Sequence, residues 1–451
     1  MRANLGSHDS KICVIGAWHL GSVVSSCLAD AGYSVVGMDS NRERVQKLNV
    51  GVAPLYEPGL DELLRRNVES KRLSFTTDLE TAVKDARYVL ITLDTPVDAQ
   101  DEVDVSEIFV VSRALGLCLE NGAVVVVSSQ VPVGTCDKIK STIEESARSR
   151  GIDFDVAYSP ENLRLGRAIE CFRNPDRIVI GADKESTLDS VEQLFSVISA
   201  PKLRMGLRSA EMTKHALNCY LATCISFANE IANLCDIVGA DAMEVSEGLH
   251  SDHRVGRGAP LRPGLGFSGG HLARDLKVIV GLGRQFRHET HLIDGVLKVN
   301  EEQNKSVVKK LERILGALRG SSIAVLGLTY KPGTSTLHRS AALEIISDLV
   351  QKGAIVRAHD PKAAMEEIRQ HREFEFCKDP YKAVEGSDAL VIVTEWPEYR
   401  RLDFDAIKAK MKRPILFDPT NMLDDKSLRE KGFDYFAIGR GRAVRSPQWQ
   451  S

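Results

Sequence analysis

Twice along the chain the same restrictive plan appears: a short apolar strand ending at a glycine, a helical pattern closed by another glycine, then a second strand ending in an acid. Near the start, Lys11–Ile15 runs into Gly16, a helical pattern extends through Ala31 to Gly32, and Ser34–Met38 leads to Asp39. In the last third, Ser322–Leu326 ends at Gly327, a helix covers Ala341–Gln351 up to Gly353, and Ile355–Ala358 leads to Asp360. This is the plan of a dinucleotide-binding βαβ unit, whose helix N-terminus attracts a pyrophosphate while the acid bonds a ribose hydroxyl.

Between these units, apolar runs at Tyr88–Leu93, Ala123–Ser128 and Arg177–Ile180 alternate with helical patterns at Asp104–Leu119 and Thr135–Arg148. That rhythm predicts a parallel sheet covered on both faces. Ligands of such sheets bind beyond the carboxyl ends of the strands. Asp94-Thr95-Pro96, Ser128-Ser129-Gln130 and Ser159-Pro160-Glu161 lie at such ends, as site residues or as plain caps and turns. Two further strands, Ala389–Thr394 and Pro414–Phe417, complete a second α/β domain. The fold class is therefore α/β, with two Rossmann-like doubly wound domains joined by a central helical region. A chain of 451 residues accommodates two or three such domains.

The first glycine turn departs from G-x-G-x-x-G. It reads Gly16-Ala17-Trp18-His19-Leu20-Gly21, so an indole stands where the middle glycine normally lets backbone approach the pyrophosphate. Asp39 favours NAD over NADP, with Arg42 and Arg44 close by to weaken that preference.

From Ser209 to Val238 the pattern is one long helix, on which Lys214 and Asn218 share a face. A lysine with an asparagine one turn away, among apolar neighbours, suits the support of a developing oxyanion. Leu261 to Asp275, LRPGLGFSGGHLARD, concentrates glycines beside Leu261, Leu265, Phe267 and Leu272, and carries His271, Arg274 and Asp275. Such a loop brings backbone close to a ligand, where a flexible linker would lack the apolar residues. His250, His253, Arg254, Arg257 and Arg262 precede it and suit either a phosphate-bearing ligand or a solvated charge run. Helical character returns from about Leu276 to Leu318 as a connector.

The net charge of −3 points to neither nucleic acid nor a membrane surface. No uninterrupted apolar run approaches the ~20 residues of a bilayer span, and the first residues lack a signal segment, so a cytoplasmic location is expected. The nine cysteines form no C-x-x-C pair and read as small core residues. His288 with His291 lacks a third ligand, so no metal is expected.

Leu55-Tyr56-Glu57-Pro58-Gly59-Leu60, Thr95-Pro96, Val131-Pro132-Val133-Gly134-Thr135, Asn174-Pro175-Asp176-Arg177, Lys214 with Asn218, Gly264–Asp275, Tyr330-Lys331-Pro332 and Thr394-Glu395-Trp396 together resemble the UDP-glucose/GDP-mannose dehydrogenase family across nearly the whole chain. The resemblance implies an NAD-binding domain at 1–205, a central helical dimerisation domain and connector at 206–318, and a UDP-sugar-binding domain at 319–451. It implies NAD as cofactor, a nucleotide-diphosphate sugar as substrate and a homodimer. Carried over residue by residue, it assigns catalysis to Lys214, Asn218, His271, Asp275 and Glu161. Gly16, Gly21, Asp39, Arg44, Thr95, Gln130 and Arg274 are assigned to the cofactor, and Arg254, Leu261, Gly264, Phe267, Gly269 and Lys331 to the substrate.

Members of the family oxidise a sugar C6 alcohol to a carboxylate in two NAD-dependent steps through a loop cysteine. His271 stands at that position. Other departures are Gln130 for a threonine, Leu165 for a second glutamate, Arg274 for a lysine, Thr334–Arg339 with a displaced arginine, and Asp418-Pro419-Thr420-Asn421 for D-G-R-N. A thiolate suits thioester chemistry because it is both nucleophile and leaving group. Its replacement suggests an oxidation that stops after two electrons. The alternatives are a four-electron, cysteine-independent dehydrogenase and a non-catalytic nucleotide-sugar-binding homologue.

Overall fold

The computed structural model describes residues 10–97, 103–161 and 163–441, the side chain of His271 excepted. These residues fall into two compact units that divide after Ala216.

The first unit is built on one sheet of β1 (Lys11–Ile15), β2 (Ser34–Met38), β3 (Leu73–Thr76), β4 (Ala86–Ile91), β5 (Ala123–Val127), β6 (Phe154–Tyr158), β7 (Ile178–Ala182) and β8 (Lys202–Met205). Its order is β3-β2-β1-β4-β5-β6-β7-β8. The sequence β5, AVVVV, is buried at every position, as expected of a strand with both faces covered. The sheet is not wholly parallel as anticipated, because β7 runs antiparallel to β6, pairing Ala157 with Ala182 and Tyr158 with Gly181. The segment after Tyr158 stays at the carboxyl end of β6, so β7 enters where β6 leaves. Sequence patterning missed β3 and β8, the two short edge strands, of which β3 buries only alternate positions and β8 buries none.

Helix α1 (His19–Asp30) follows β1 directly. Helix α2 (Leu207–Val238) begins in the first unit and continues into the second. It is long and apolar enough over an 18-residue window to cross a membrane by length and composition, with 39% of that window buried. Counting uninterrupted apolar runs overlooked it, because residues such as Asn218 and Thr223 break the run without making the segment polar on average.

In the second unit, α3 (His271–Gln285) and α4 (His291–Leu315) replace the single helical stretch expected from Leu276. The break is a Schellman closure: the N–H of His288 donates to Gly283 O at 2.8 Å and that of Arg287 to Arg284 O at 3.2 Å. Arg287 takes the left-handed position, with φ of 56°. The sheet contains β9 (Ser322–Leu326), β10 (Ile355–His359), β11 (Glu375–Phe376), β12 (Ala389–Ile392), β13 (Ile415–Asp418) and β14 (Asp434–Ala437) in the parallel order β11-β10-β9-β12-β13-β14. Helix α5 (Ala341–Gln351) packs Ile345, Ile346 and Leu349 into its core.

Candidate functional site

In the first unit, the turn after β1 needs two of its glycines and not the third. Gly16 has φ of +93°, and a Cβ there would lie 2.9 Å from Leu93. At Gly21 a Cβ would lie 1.7 Å from the carbonyl oxygen of Gly16, which no relaxation of a side chain relieves. Trp18, at the middle position, has φ of −71°, open to any L-residue. The Thr92 hydroxyl holds the turn at 2.9 Å from both Ile15 O and Gly16 O. Helix α1 starts immediately afterwards, leaving its first N–H groups beside the turn, as an anion site requires.

Asp39, 4% exposed, stands at the end of β2. Its Oδ2 accepts the Ala17 N–H at 2.8 Å and Arg44 Nη1 at 2.7 Å, and its Oδ1 accepts the Asn41 N–H at 2.9 Å. The Arg44 guanidinium lies 4.7 Å from the centroid of the Trp18 ring. These residues, with Gly16, Met38, Ser40, Leu93 and Asp94, line a cavity of about 260 Å³. The turn, helix end and acid therefore suit a dinucleotide. The indole lies against Arg44, which is itself paired with the acid.

At the strand ends, the Thr95 hydroxyl donates to Gln130 O at 2.9 Å, bringing together two residues proposed from sequence. Lys214, largely buried on α2, donates from Nζ to the backbone carbonyl of Glu161 at 2.6 Å. A third contact that sequence did not reveal ties His19 Nε2 to Glu57 Oε2 at 3.0 Å. That carboxylate also accepts the N–H groups of Gly166 and Ala168, both at 2.8 Å.

In the second unit, the glycine-rich run is a loop only to Gly270, and His271–Asp275 form the first turn and a half of α3. Asp275 is wholly buried and accepts a hydrogen bond from Asn218 Nδ2. Cys219 lies in the adjoining apolar cluster with Leu276, and burial together with Asp275 pushes its thiol up to about 12. The loop backbone is clamped by side chains of α2 and α4. Asn229 accepts the Gly264 N–H, Gln303 donates to Gly264 O, and Asn300 both accepts the Phe267 N–H and donates to Phe267 O. Gly269, with φ of +80°, passes so close to Tyr330 that a Cβ would lie 2.9 Å from its ring.

Gly264, Gly266 and Ser268 form one side of a cavity of about 310 Å³, completed by Tyr330, Lys331, Thr394 and Thr420 among others. Lys331 Nζ lies 5.5 Å from the Tyr330 ring centroid. Arg262, one of the basic residues that suit a phosphate-bearing ligand, also lines this cavity, as does Glu395 of the Thr394-Glu395-Trp396 run. Arg262 donates to the backbone carbonyl of Asn421. Burial raises the Glu395 carboxyl pKa against the opposing influence of Arg262. Arg339 and Asn421, beside cavity residues Ser340 and Thr420, adopt left-handed backbone with φ of 52° and 55°.

The remaining proposed residues fall elsewhere or in supporting places. Leu261 is buried against Cys224 and Ala228, and Phe267 packs in the cluster of Cys219 and Leu276. Arg254 is exposed, paired with Asp252 at 2.6 Å, and absent from the cavity lining. Arg274 is half-buried on the first turn of α3. The backbone of His271 opens α3, and its side chain lies outside the described residues. His291 pairs with Glu289 at 2.9 Å.

Three family models match successive parts of the chain. Residues 10–199 match the NAD binding domain of the UDP-glucose/GDP-mannose dehydrogenase family, residues 208–302 its central domain and residues 324–425 its UDP binding domain. The chain is 36% identical over 439 residues to UDP-glucose 6-dehydrogenase TuaD of Bacillus subtilis, covering 97% of this chain and 95% of that protein. It is 38% identical to UDP-glucose 6-dehydrogenase of Rhizobium meliloti, covering 95% and 99%. A UDP-glucose dehydrogenase structure from Pyrobaculum islandicum superposes with a TM-score of 0.86 at 35% identity, covering 96% of this chain and 98% of that one.

Proposed function

The chain belongs to the UDP-glucose/GDP-mannose dehydrogenase family and is an NAD-dependent nucleotide-sugar dehydrogenase, and from that premise we propose that its oxidation stops after one two-electron step. The observation that carries this reading is His271 at the family's cysteine position, with the cysteine beside Asp275 buried among apolar residues. Cys219 sits beside Asp275 with its thiol pushed up to about 12, so at neutral pH it is protonated and a poor nucleophile. With His271 at the family's cysteine position, the thiol beside the retained asparagine and aspartate is not an activated one.

When bound, NAD supplies the acceptor for the electron pair leaving the sugar carbon. Gly16, Gly21 and the start of α1 are assigned to its pyrophosphate, and Asp39 to the adenosine ribose. Thr95, Gln130 and Arg274 complete the cofactor assignment. The sugar nucleotide is assigned to the second-unit cavity, with Lys331 as a phosphate ligand and Gly264 allowing close backbone approach. Lys214 supports negative charge on the sugar oxygen as its proton departs. Asn218 orients Asp275 through their hydrogen bond, and His271, whose ordinary pKa is near neutrality, takes or returns the hydroxyl proton. Arg254, Leu261, Phe267 and Gly269 retain only the support of the family resemblance, since none of them lines the cavity.

The test is stoichiometric. The protein is supplied with NAD and a panel of UDP-, GDP- and dTDP-sugars, and NADH is counted per product identified by mass spectrometry. One NADH per aldehyde or ketone is expected; two NADH per sugar with a uronate product overturns the proposal. The names of the relatives favour a second reading, a four-electron 6-dehydrogenase working without cysteine. That reading requires uronate formation to survive alkylation of every thiol.

A further inference from the structure

The glycine turn of the first unit contains a feature that the family assignment leaves unexplained: an indole at its middle position, turned toward an arginine that is itself fixed to the ribose-binding acid. We propose that Trp18 is a cofactor-specificity residue, holding Arg44 on Asp39 so that the cavity accepts NAD and excludes dinucleotides carrying a 2′-phosphate.

The acceptor inventory of Asp39 makes the case. A carboxylate offers about four lone-pair positions. Oδ2 has taken the Ala17 N–H and Arg44 Nη1, and Oδ1 has taken the Asn41 N–H, so among the described residues one position on Oδ1 remains for a ribose hydroxyl. That position serves NAD without moving any group. A 2′-phosphate would instead bring two negative charges against a carboxylate that is 4% exposed. It is tolerated only if Arg44 leaves Asp39 and turns its remaining donors to the phosphate.

Left alone, an arginine beside the acid is the residue that makes this exchange. Here the guanidinium also lies 4.7 Å from the Trp18 ring centroid, within cation–π range. Moving it therefore loses two contacts at once. The indole is available for this because the middle position of the turn has φ of −71° and does not demand glycine, unlike Gly16 and Gly21. Trp18 is 36% exposed and lines the same cavity as Asp39 and Arg44, so its effect is exerted where the adenosine half of a dinucleotide would lie.

The inference rests on NAD being the cofactor but not on where the oxidation stops, so it is tested by binding alone, without sugar. Calorimetric titration of the full chain with NAD and with NADP gives a ratio of dissociation constants for the wild type, Trp18→Gly, Arg44→Ala and the double variant. Trp18→Phe, which keeps an aromatic face with a weaker attraction for a cation, guards against a glycine variant that fails to fold. For Trp18→Gly, NADP is expected to gain roughly 5-fold relative to NAD, the size of a partly exposed cation–π contact, with Trp18→Phe in between. In the Arg44→Ala background the same substitution is expected to change the ratio less than 2-fold, because the cation that would reach the phosphate is gone. An unchanged ratio in both Trp18→Gly and Trp18→Phe overturns the proposal. So does an equal gain with and without Arg44, which would make the indole a simple steric block. Failure of NAD itself to bind the wild type would instead overturn the cofactor assignment.

Discussion

The two βαβ openings share a plan and differ in what they do with their acid. In both, the glycine after the first strand is left-handed, with φ of 93° at Gly16 and 94° at Gly327. In both, its N–H donates to the last residue of the next strand, Met38 or His359. The acids then part. Asp39 binds its own turn through Ala17, pairs with a cation at the cavity edge and, among the described residues, accepts three hydrogen bonds in all. Asp360 accepts the N–H groups of Leu328, Thr329, Lys362 and Ala363, the Thr329 hydroxyl and the Trp396 indole N–H. Under the proposed assignment one carboxylate serves a ligand, whereas the other is consumed in building the turn. The chain between glycine and helix differs accordingly. Helix α1 starts at His19, directly after its turn, whereas α5 waits until Ala341, and the intervening segment supplies the cavity residues Tyr330, Lys331 and Ser340. The same local plan thus presents a helix end in the first unit and a loop in the second.

The largest effect that would break this comparison is loss of the second acid. Asp360→Ala strands several buried donors at once, each costing ~1–3 kcal/mol, and is expected to destabilise its unit by about 4 kcal/mol in chemical denaturation. Asp39→Ala should cost less than half as much, yet weaken NAD binding by roughly 10-fold or more, as loss of a charge-assisted hydrogen bond predicts. Equal stability losses in the two variants would remove the distinction.

A smaller effect is expected at the glycines, where the two units should agree. Gly16→Ala and Gly327→Ala each force a side chain into left-handed backbone and into contacts of 2.9 Å with Leu93 and 2.5 Å with Thr394. Each should lower stability by about 2–4 kcal/mol, read from denaturation midpoints. A tolerated alanine at either position would show that the turn relaxes there.

The smallest effect concerns alkaline pH. Burial pushes the thiols of Cys13 and Cys27 in the first unit, and of Cys219 in the second, up to about 12 from an ordinary value of 9.0. The folded state thus holds these protons more tightly than the unfolded chain. Their contribution is complete below the unfolded value and is lost as pH rises from 9 toward 12. Melting temperature should therefore fall across that interval, and replacing Cys13 and Cys27 together by alanine should flatten the dependence more than replacing Cys219 alone. An unchanged slope in the double variant would count against burial as the cause.

Much of the fold was legible because parallel-sheet strands buried on both faces are written as near-continuous apolar runs, as in Ala123–Val127 and Ala389–Ile392. What escaped were edge strands such as Lys202–Met205, the antiparallel turn of β7, and the break between α3 and α4, where Arg287 takes a position usually given to glycine. Local geometry was legible where sterics force a residue type, as at Gly16 and Gly21, and where a strand end places an acid, as at Asp39. The site was obscure where a contact joins residues far apart in sequence, as with His19 and Glu57, or Arg262 and Asn421.

By itself the sequence determined the two βαβ plans, the retained lysine, asparagine and aspartate, and the absence of cysteine from the glycine-rich loop. Local spacing and side-chain identity suffice for these, because strand period, turn sterics and nucleophile chemistry act over a few residues. Only the tertiary structure decided what surrounds Trp18, Asp39 and Asp360. Whether a carboxylate keeps a free lone pair, or an indole faces a cation, depends on partners brought from elsewhere in the chain. For Asp39 and Asp360 these distant partners, Ala17 and Trp396, are brought in by burial of the two sheets and join near neighbours such as Arg44 and Lys362.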